Sequence, residues 1–485
     1  MTTTVQPHPA RSVDRHRRPL LVRAGGLICA AIAIAVASQV LGASRTGATR
    51  PSPAALPATV SDPATGGEAP AIVDLDPGGA TGGAATDADT IRIKANIEFW
   101  SAKLRAHAND FVAAEKLGES RIELARATGD LSSYVAAGQA FDAALALYPD
   151  MAAARAFKGV VLVSLHQFGP ARTLASDILD ESPDDPTALA TLGDASLELG
   201  DVGAARTAYD RLALVAPGAA SDVRLGHLAF ITGDIATAVR DARAAVRASD
   251  TDEDTVGERA GFYRYQLADT LIATGDRPGA EKAYRDAIKH DPRSFLAHAG
   301  LGRALAADGK LDAAISELSA AIAIIPQPDM LARRSDLYEL RNAAGDATLA
   351  ARDRRTVLAI AQLATAAGNV YDRTLSLYLA NHGLDTARAV DLAAAELETR
   401  KDVYGYDALA WALLADGRSA EAGNAIRSAL AVGTMDAKVL YHAGMIELAL
   451  GETAAGRGHL QAALDLDPSF DALQAERARA ALAGG

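Results

Sequence analysis

The stretches YRYQLADTLIATGDRPGAEKAYRDAIKHDP, residues 263–292, and FLAHAGLGRALAADGKLDAAISELSAAIAIIP, residues 295–326, repeat one pattern. Equivalent positions lie 34 residues apart, and they include three matched pairs: Ala280 and Ala314, Ala287 and Ala321, Pro292 and Pro326. A period of 34 residues with small side chains at matched positions is typical of stacked helical hairpins. The sequence therefore predicts a helical repeat array.

The matched residues have mechanical roles in such a hairpin. Gly302 lets the first helix, helix A, approach the second, helix B, closely, because a larger side chain would force the two helices apart. Gly309 can take the left-handed conformation that ends helix A and opens a tight turn. Pro292 and Pro326 cannot continue a helix and are predicted to end helix B.

The two segments resemble the tetratricopeptide repeat (TPR) family, whose pattern combines Leu-Gly, a turn glycine, alanines and a closing proline. Related hairpins are recognisable over about residues 115–468, clearly in seven cases and loosely in three. The resemblance implies an all-α, right-handed superhelical solenoid of about ten hairpins, with partners bound on a concave face lined by A helices. A final helix, residues 470–483, is expected to cap the solenoid.

Composition favours helices and limits the partners. Only 5% of the 485 residues are aromatic, while about half are apolar, which suits closely crossed helices. Residues 1–50 carry a net charge of +6, so the rest of the chain carries −19. Such an acidic surface repels phosphate backbones and argues against nucleic-acid binding. The excess of Arg over Lys and the abundance of Ala suit a bacterial, GC-rich genome.

The N-terminus predicts export. Residues 1–23 are basic, and residues 24–44 contain no charged side chain and are long enough to cross a bilayer as a hydrophobic helix. Two interpretations remain open: an uncleaved membrane anchor, or a signal peptide cleaved after Ala37. Residues 45–90, rich in Pro, Gly and Ala, are predicted to be a disordered linker, followed by the solenoid at residues 91–485. The solenoid is therefore expected outside the cytoplasmic membrane, in a cell envelope, or secreted.

Motifs for catalysis and cofactors are missing from the sequence. The ten histidines are scattered, the one cysteine is Cys29, and neither a nucleotide-binding loop nor a nucleophile elbow occurs. We therefore expect no enzyme activity, no cofactor and no metal, but a scaffold for other proteins or peptides. Two alternatives remain: an accessory or substrate-docking subunit of an envelope enzyme or assembly machine, and a cytoplasmic adaptor. The oligomeric state stays open.

The expected contact surface is the concave face, placed by counting from each Leu-Gly pair. Its residues in hairpins 3 to 6 are Asp194, His227, Phe230, Phe262, Tyr265, Asp269 and Arg303, and in hairpins 9 and 10 they are Tyr404, Asp407, Trp411, Lys438, Tyr441 and Met445. Tyr404, Trp411 and Tyr441 form the strongest candidate patch, because aromatic residues often anchor interfaces. The alternative is that Trp411 and Tyr441 only pack between hairpins.

The family's clamp for acidic C-terminal tails is not expected here. It needs Lys and Asn at inward positions, and these positions hold Ala190, Asp194, Tyr265 and Asp269.

Overall fold

A computed structural model describes residues 87–253, 255–366 and 373–484. These residues form 22 α-helices and contain no strand. The predicted segments 1–23 and 24–44, and all but the last few residues of 45–90, lie outside the described residues. The first helix begins at Asp87, within the segment predicted as linker. Within the described ranges, no helix combines the length and the apolar character needed to cross a bilayer.

Twenty of the described helices pair into ten hairpins, which confirms the predicted number. Asp87–Ala106 precedes them and Gln474–Ala483 follows them. Helices A and B of hairpins 1 to 10 are, in order, Phe111–Thr128 and Leu131–Leu147, Ala152–Ser164 and Phe168–Glu181, Pro186–Glu198 and Val202–Val215, Ala219–Ile231 and Ile235–Thr251, Gly257–Ala273 and Arg277–His290, Phe295–Ala307 and Leu311–Ile324, Pro328–Arg341 and Asp346–Ala366, Arg373–His382 and Thr386–Leu397, Val403–Ala415 and Ser419–Leu430, Ala437–Ala449 and Thr453–Leu466.

The Gly-Asp pairs of the sequence build the tight turns. At hairpin 3, Gly200 has φ +81°, a left-handed conformation that ends helix A. Asp201 then caps helix B, since its Oδ1 accepts a 3.0 Å hydrogen bond from the Ala204 amide. The turns of hairpins 4 and 5 repeat this arrangement at Asp234 and Asp276.

Small residues lie where helices cross, as the pattern predicts. A Cβ atom at Gly193 would lie 2.2 Å from the ring of Tyr209, which is fully buried. Ala280 and Ala314 have no exposed surface. Close packing of this kind leaves no room for larger side chains, so these positions fix the angle between paired helices.

The A helices line the inside of the curve. Along most of the stack each helix A contacts the next helix A, whereas contacts of similar extent between successive B helices do not occur in the described chain. Helices on the inner side of a curved stack lie closest together. The A helices therefore form the inner wall, as the TPR resemblance implies.

The stack curves so tightly that its two halves touch. We call hairpins 1–5 the first coil and hairpins 6–10 the second coil. The turns between helices A and B form the turn edge of each coil, and the connections between hairpins form its connection edge. The Lys401 amide, between hairpins 8 and 9, donates a 2.8 Å hydrogen bond to the Glu198 carbonyl beside the turn of hairpin 3. Arg400 forms an ion pair with the Glu198 carboxylate.

The same contact recurs along the edge. A Cβ atom at Gly233, in the turn of hairpin 4, would lie 2.2 Å from the Gly433 carbonyl oxygen. At hairpin 5, a Cβ atom at Gly275 would lie 2.3 Å from the Leu466 carbonyl oxygen. The turn of hairpin 1 likewise approaches Ile325 after hairpin 6. The turn edge of the first coil thus rests on the connection edge of the second coil, five hairpins further along the chain.

Candidate functional site

A pocket of about 200 Å³ opens on the inner wall at hairpins 3 to 5. The A helices of these hairpins supply most of its lining, and Tyr209 reaches it from helix B of hairpin 3. The lining residues are Asp194, Tyr209, Val223, Arg224, His227, Phe262 and Gln266. Concave sites of mixed apolar and polar lining are the usual places where proteins bind ligands.

The floor of the pocket is a hydrogen-bonded ion pair. Arg224 donates two parallel hydrogen bonds to Asp194, of 2.8 Å from Nε and 2.9 Å from Nη2. The Tyr209 hydroxyl donates a third, of 2.8 Å, to Asp194 Oδ1. Burial raises the pKa of Tyr209, so its hydroxyl stays protonated and remains a donor. Bidentate pairs of this kind fix side-chain geometry, so the floor is rigid.

Asp194, Tyr209 and Arg224 form a hydrogen-bonded triad, and a second triad of Asp, Tyr and Arg lies beside the pocket, in hairpins 5 and 6. Tyr284 and Arg303 both donate to Asp269 Oδ1, and Arg303 Nη2 lies 2.9 Å from the Tyr284 hydroxyl oxygen. In each triad, the Asp follows the small residue of helix A and the Tyr comes 15 residues later. The repeated triads join successive A helices along the inner wall.

Three groups at the pocket remain accessible. The Phe262 side chain is 37% exposed, and its ring centroid lies 6.5 Å from that of Tyr265. His227 is exposed to the interior space. The enclosing helices lower the pKa of His227, and the nearby carboxylates of Glu198 and Asp194 oppose this only in part. The neutral ring offers one donor and one acceptor. Gln266 is half-buried at the rim.

The structure brings together three of the residues predicted for hairpins 3 to 6: Asp194, His227 and Phe262 line the pocket. Tyr265, Asp269 and Arg303 belong to the adjoining triad and aromatic contacts. Phe230 is a correction, because its side chain is buried in a cluster with Ala229 and Ala238 and does not reach the inner surface. Sequence reasoning missed the roles of Arg224, Tyr209 and Gln266, although the spacing of 15 between Asp and Tyr was a readable signal for Tyr209.

The aromatic patch predicted in hairpins 9 and 10 is also corrected. Trp411 and Tyr441 are buried, with ring centroids 5.5 Å apart. Trp411 stacks on His442 at 4.1 Å and donates a 2.8 Å hydrogen bond to Asn381. Asp407 is buried as well, 2.8 Å from His442 Nδ1. These side chains pack between hairpins, so the alternative interpretation of Trp411 and Tyr441 is the one that the contacts favour.

The C-terminal segment covers this part of the inner wall. Phe470 packs on Tyr441 with ring centroids 5.5 Å apart, and Gln474 Nε2 donates a 2.8 Å hydrogen bond to Asn381. The remaining predicted residues of these hairpins are half-buried: Tyr404, Lys438 and Met445. Lys438 Nζ lies 4.0 Å from Asp471 Oδ2 of the covering segment. Of these two parts of the inner wall, the part at hairpins 3 to 5 is therefore the more accessible.

The pocket combines polar and apolar groups. Its polar groups are fixed donors and acceptors around an apolar wall. Within the described ranges, no group of three or more His, Cys, Asp and Glu side chains is placed to hold a metal ion.

Comparisons with known proteins agree with this architecture. The sequence model described as tetratricopeptide repeat matches residues 122–186, 190–253, 265–327 and 408–471, which together exceed half of the chain. No curated protein matches the chain.

Similar solved structures include a thermophilic TPR protein in Thermus thermophilus, with 19% identity over 39% of this chain and 98% of that one and a TM-score of 0.34. Others are a tetratricopeptide repeat protein from Parabacteroides merdae (17% identity, 52% and 98% coverage, TM-score 0.36) and the human IFIT1 dimer with PPP-AAAA (13%, 73% and 87%, TM-score 0.41). On the family matches and the ten hairpins, this chain belongs to the tetratricopeptide repeat family.

Proposed function

We propose that the protein is a non-catalytic scaffold that captures a segment of a partner protein in the inner-wall pocket of hairpins 3 to 5. One observation carries the proposal: an exposed Phe262 stands beside two accessible polar groups, over a floor fixed by Asp194 and Arg224. At hairpins 9 and 10, by contrast, Asp407, Trp411 and Tyr441 are buried, and Phe470 packs on Tyr441.

The size and lining of the pocket suit one large apolar side chain of an extended peptide. Phe262 and Val223 supply the apolar contact. His227 and Gln266 can pair with the peptide backbone, which needs hydrogen-bond partners wherever it loses water. Because Asp194 and Arg224 already form an ion pair with each other, the floor offers no free opposite charge to a charged side chain of the peptide. We therefore expect selection for Leu, Met or aromatic residues.

The proposal includes display outside the cytoplasmic membrane, where the scaffold would organise an envelope complex. Its support is the sequence of residues 1–44, with five arginines before an uncharged stretch. A reporter enzyme that is active only outside the cytoplasm, fused after Thr90, tests this part. Activity is expected, and a signal confined to the cytoplasm would refute export without affecting the peptide site.

A library of random peptides displayed on phage tests the pocket, with the full chain as the immobilised target. Selected peptides are expected to share a large apolar residue. Phe262→Ala should weaken their binding at least about tenfold, since truncating the central anchor of an interface typically costs about 2 kcal/mol or more and about 1.4 kcal/mol corresponds to a factor of ten.

Leu358→Ala is the matched control. Leu358 is also 37% exposed but lies in the middle of helix B of hairpin 7, away from the inner wall. This variant should bind the selected peptides like the wild type. Failure to select any peptide, or equal binding by the Phe262→Ala variant, would count against the pocket.

A further inference from the structure

The turn edge of the second coil has the same local shape as the turn edge of the first. Its glycines, Gly309, Gly345, Gly383, Gly417 and Gly451, have φ between +61° and +90°. In the first coil, Gly129, Gly200, Gly233 and Gly275 have φ between +70° and +85°. The turn glycines of both coils therefore share one left-handed backbone conformation, and the two rows of turns have the same local shape.

The two rows differ in what covers them. The first coil's glycines abut the connections of the second coil, at Ile325, Lys401, Gly433 and Leu466. A methyl group built on any of the second coil's five turn glycines would meet no described atom within 4 Å. In the part of the chain that the structure describes, the second coil thus ends in a turn edge that has no connection edge against it.

The opposite end of the molecule has the complementary surface. Among the described residues, the connection edge of the first coil contacts no further coil, and it exposes apolar side chains. Leu147 and Tyr148 of hairpin 1 are 41% and 49% exposed, and Leu214 at the end of hairpin 3 is 75% exposed. On the uncovered turn edge of the second coil, Leu340 and Leu384 are both 41% exposed. Exposed apolar side chains on both end surfaces favour association.

We propose that the protein self-associates head to tail, with the turn edge of one copy's second coil resting on the connection edge of the next copy's first coil. A second copy is the occupant because each free edge continues a contact that the chain already makes with itself at the turns of hairpins 1, 3, 4 and 5.

Such a contact joins two different surfaces. It does not close by two-fold symmetry, and so it extends into linear assemblies. Within one chain the two coils are held together covalently, which raises their effective concentration. Between chains the same contact depends on protein concentration. The inner-wall pocket takes no part, so the self-association and the peptide site succeed or fail independently.

Sedimentation velocity of the full chain across a wide range of concentration tests the proposal. The same mild detergent is present in every sample, because residues 24–44 are apolar. The wild type is expected to form dimers and longer species as concentration rises. Leu384→Glu blocks the turn edge and Tyr148→Glu blocks the connection edge. Each variant alone should be monomeric, with association weakened at least about tenfold.

An equimolar mixture of the two variants gives the decisive result. The Leu384→Glu copy keeps an intact connection edge, and the Tyr148→Glu copy keeps an intact turn edge, so one contact remains possible. The mixture should therefore form dimers and nothing longer. Leu358→Glu, on neither edge, should associate like the wild type. A wild type that stays monomeric, variants that associate unchanged, or a mixture that stays monomeric would each overturn the proposal.

Discussion

The amide of Lys401 donates a 2.8 Å hydrogen bond to the carbonyl oxygen of Glu198, and so joins the second coil to the first. In an ordinary solenoid each repeat contacts only its neighbours, and stability is close to a sum of neighbouring terms. Here each coil also depends on the other. We expect the two coils to unfold together more cooperatively than a simple repeat array.

The contact between the coils at Gly233 gives a direct test. Gly233→Ala and Gly417→Ala place a methyl group at almost the same backbone conformation, with φ of +80° and +78°. Each loses about 1–2 kcal/mol from the left-handed conformation alone. Gly233→Ala also meets the Gly433 carbonyl at 2.2 Å, whereas Gly417→Ala meets nothing, so the former should lose about 1–3 kcal/mol more. Urea denaturation measures both, and equal losses would show that the coils do not touch there.

The ion pair between Arg400 and Glu198 provides a second test. Both side chains are about one quarter exposed, and Arg400 also lies 3.7 Å from Glu396 and from Asp402. Arg400→Glu gathers carboxylates at one place and should lower the free energy of unfolding by about 1–3 kcal/mol after allowance for solvent screening. The double exchange with Glu198→Arg should recover part of this loss. Strict additivity in the double-mutant cycle would mean that the pair contributes nothing.

The buried carboxyl group of Glu115 makes stability depend on pH. Burial, together with a hydrogen bond and charge repulsion from Glu119, raises the pKa of Glu115, and Lys116 opposes this only in part. A carboxyl group with a raised pKa in the folded state binds its proton more tightly there than in the unfolded chain. The protonated Glu115 carboxyl group therefore contributes its full stabilisation at pH values below its pKa in the unfolded chain. This contribution is lost as pH rises through its pKa in the folded protein.

The variant Glu115→Gln keeps the shape and cannot ionise. It should raise the thermal midpoint at pH 8 and change it little at pH 4. Glu421→Gln, an exposed residue with a lowered pKa, serves as the control and should not stabilise at pH 8. A wild-type midpoint that does not fall relative to Glu115→Gln between pH 4 and pH 8 would show that Glu115 is not buried as described.

The repeat period predicted the ten hairpins because it depends on local rules. Gly200 ends a helix and Asp201 caps the next one whatever else the chain does. The contact between Lys401 and Glu198 was not predictable in this way, because it depends on how small rotations between hairpins accumulate over five repeats. No single residue encodes that sum. The C-terminal segment contacts Tyr441 and Asn381 on the inner wall, and this covering could not be read from the repeat pattern, which left both an open surface and packing between hairpins possible for Trp411.

The substitution Trp411→Ala tests whether Trp411 belongs to the packed core or to an open contact surface. Trp411→Ala removes a buried ring, its stacking on His442 and its hydrogen bond to Asn381. Truncating a buried aromatic side chain typically lowers the free energy of unfolding by about 3–5 kcal/mol, and we expect a loss of this size for Trp411→Ala. Circular dichroism melting should report the loss. A stable Trp411→Ala protein that had lost only peptide binding would favour the open contact patch, one of the two interpretations that the sequence left open.

Two substitutions, one at each residue that pairs with Asp194, distinguish the contribution of the pocket floor to folding stability from its contribution to peptide binding. Tyr209→Phe removes one hydroxyl donor but leaves the bidentate pair with Arg224, so it should cost about 0.5–1.5 kcal/mol and leave peptide binding almost unchanged. Arg224→Met removes the cation and leaves Asp194 with the Tyr209 hydroxyl alone, which should cost about 1–3 kcal/mol because the pair is roughly one quarter exposed. The freed carboxylate no longer has a fixed position, so binding of the selected apolar peptides should weaken about tenfold or more. Titration calorimetry with one such peptide distinguishes the two variants, and equal affinities would mean that the pair supports the fold but not the pocket.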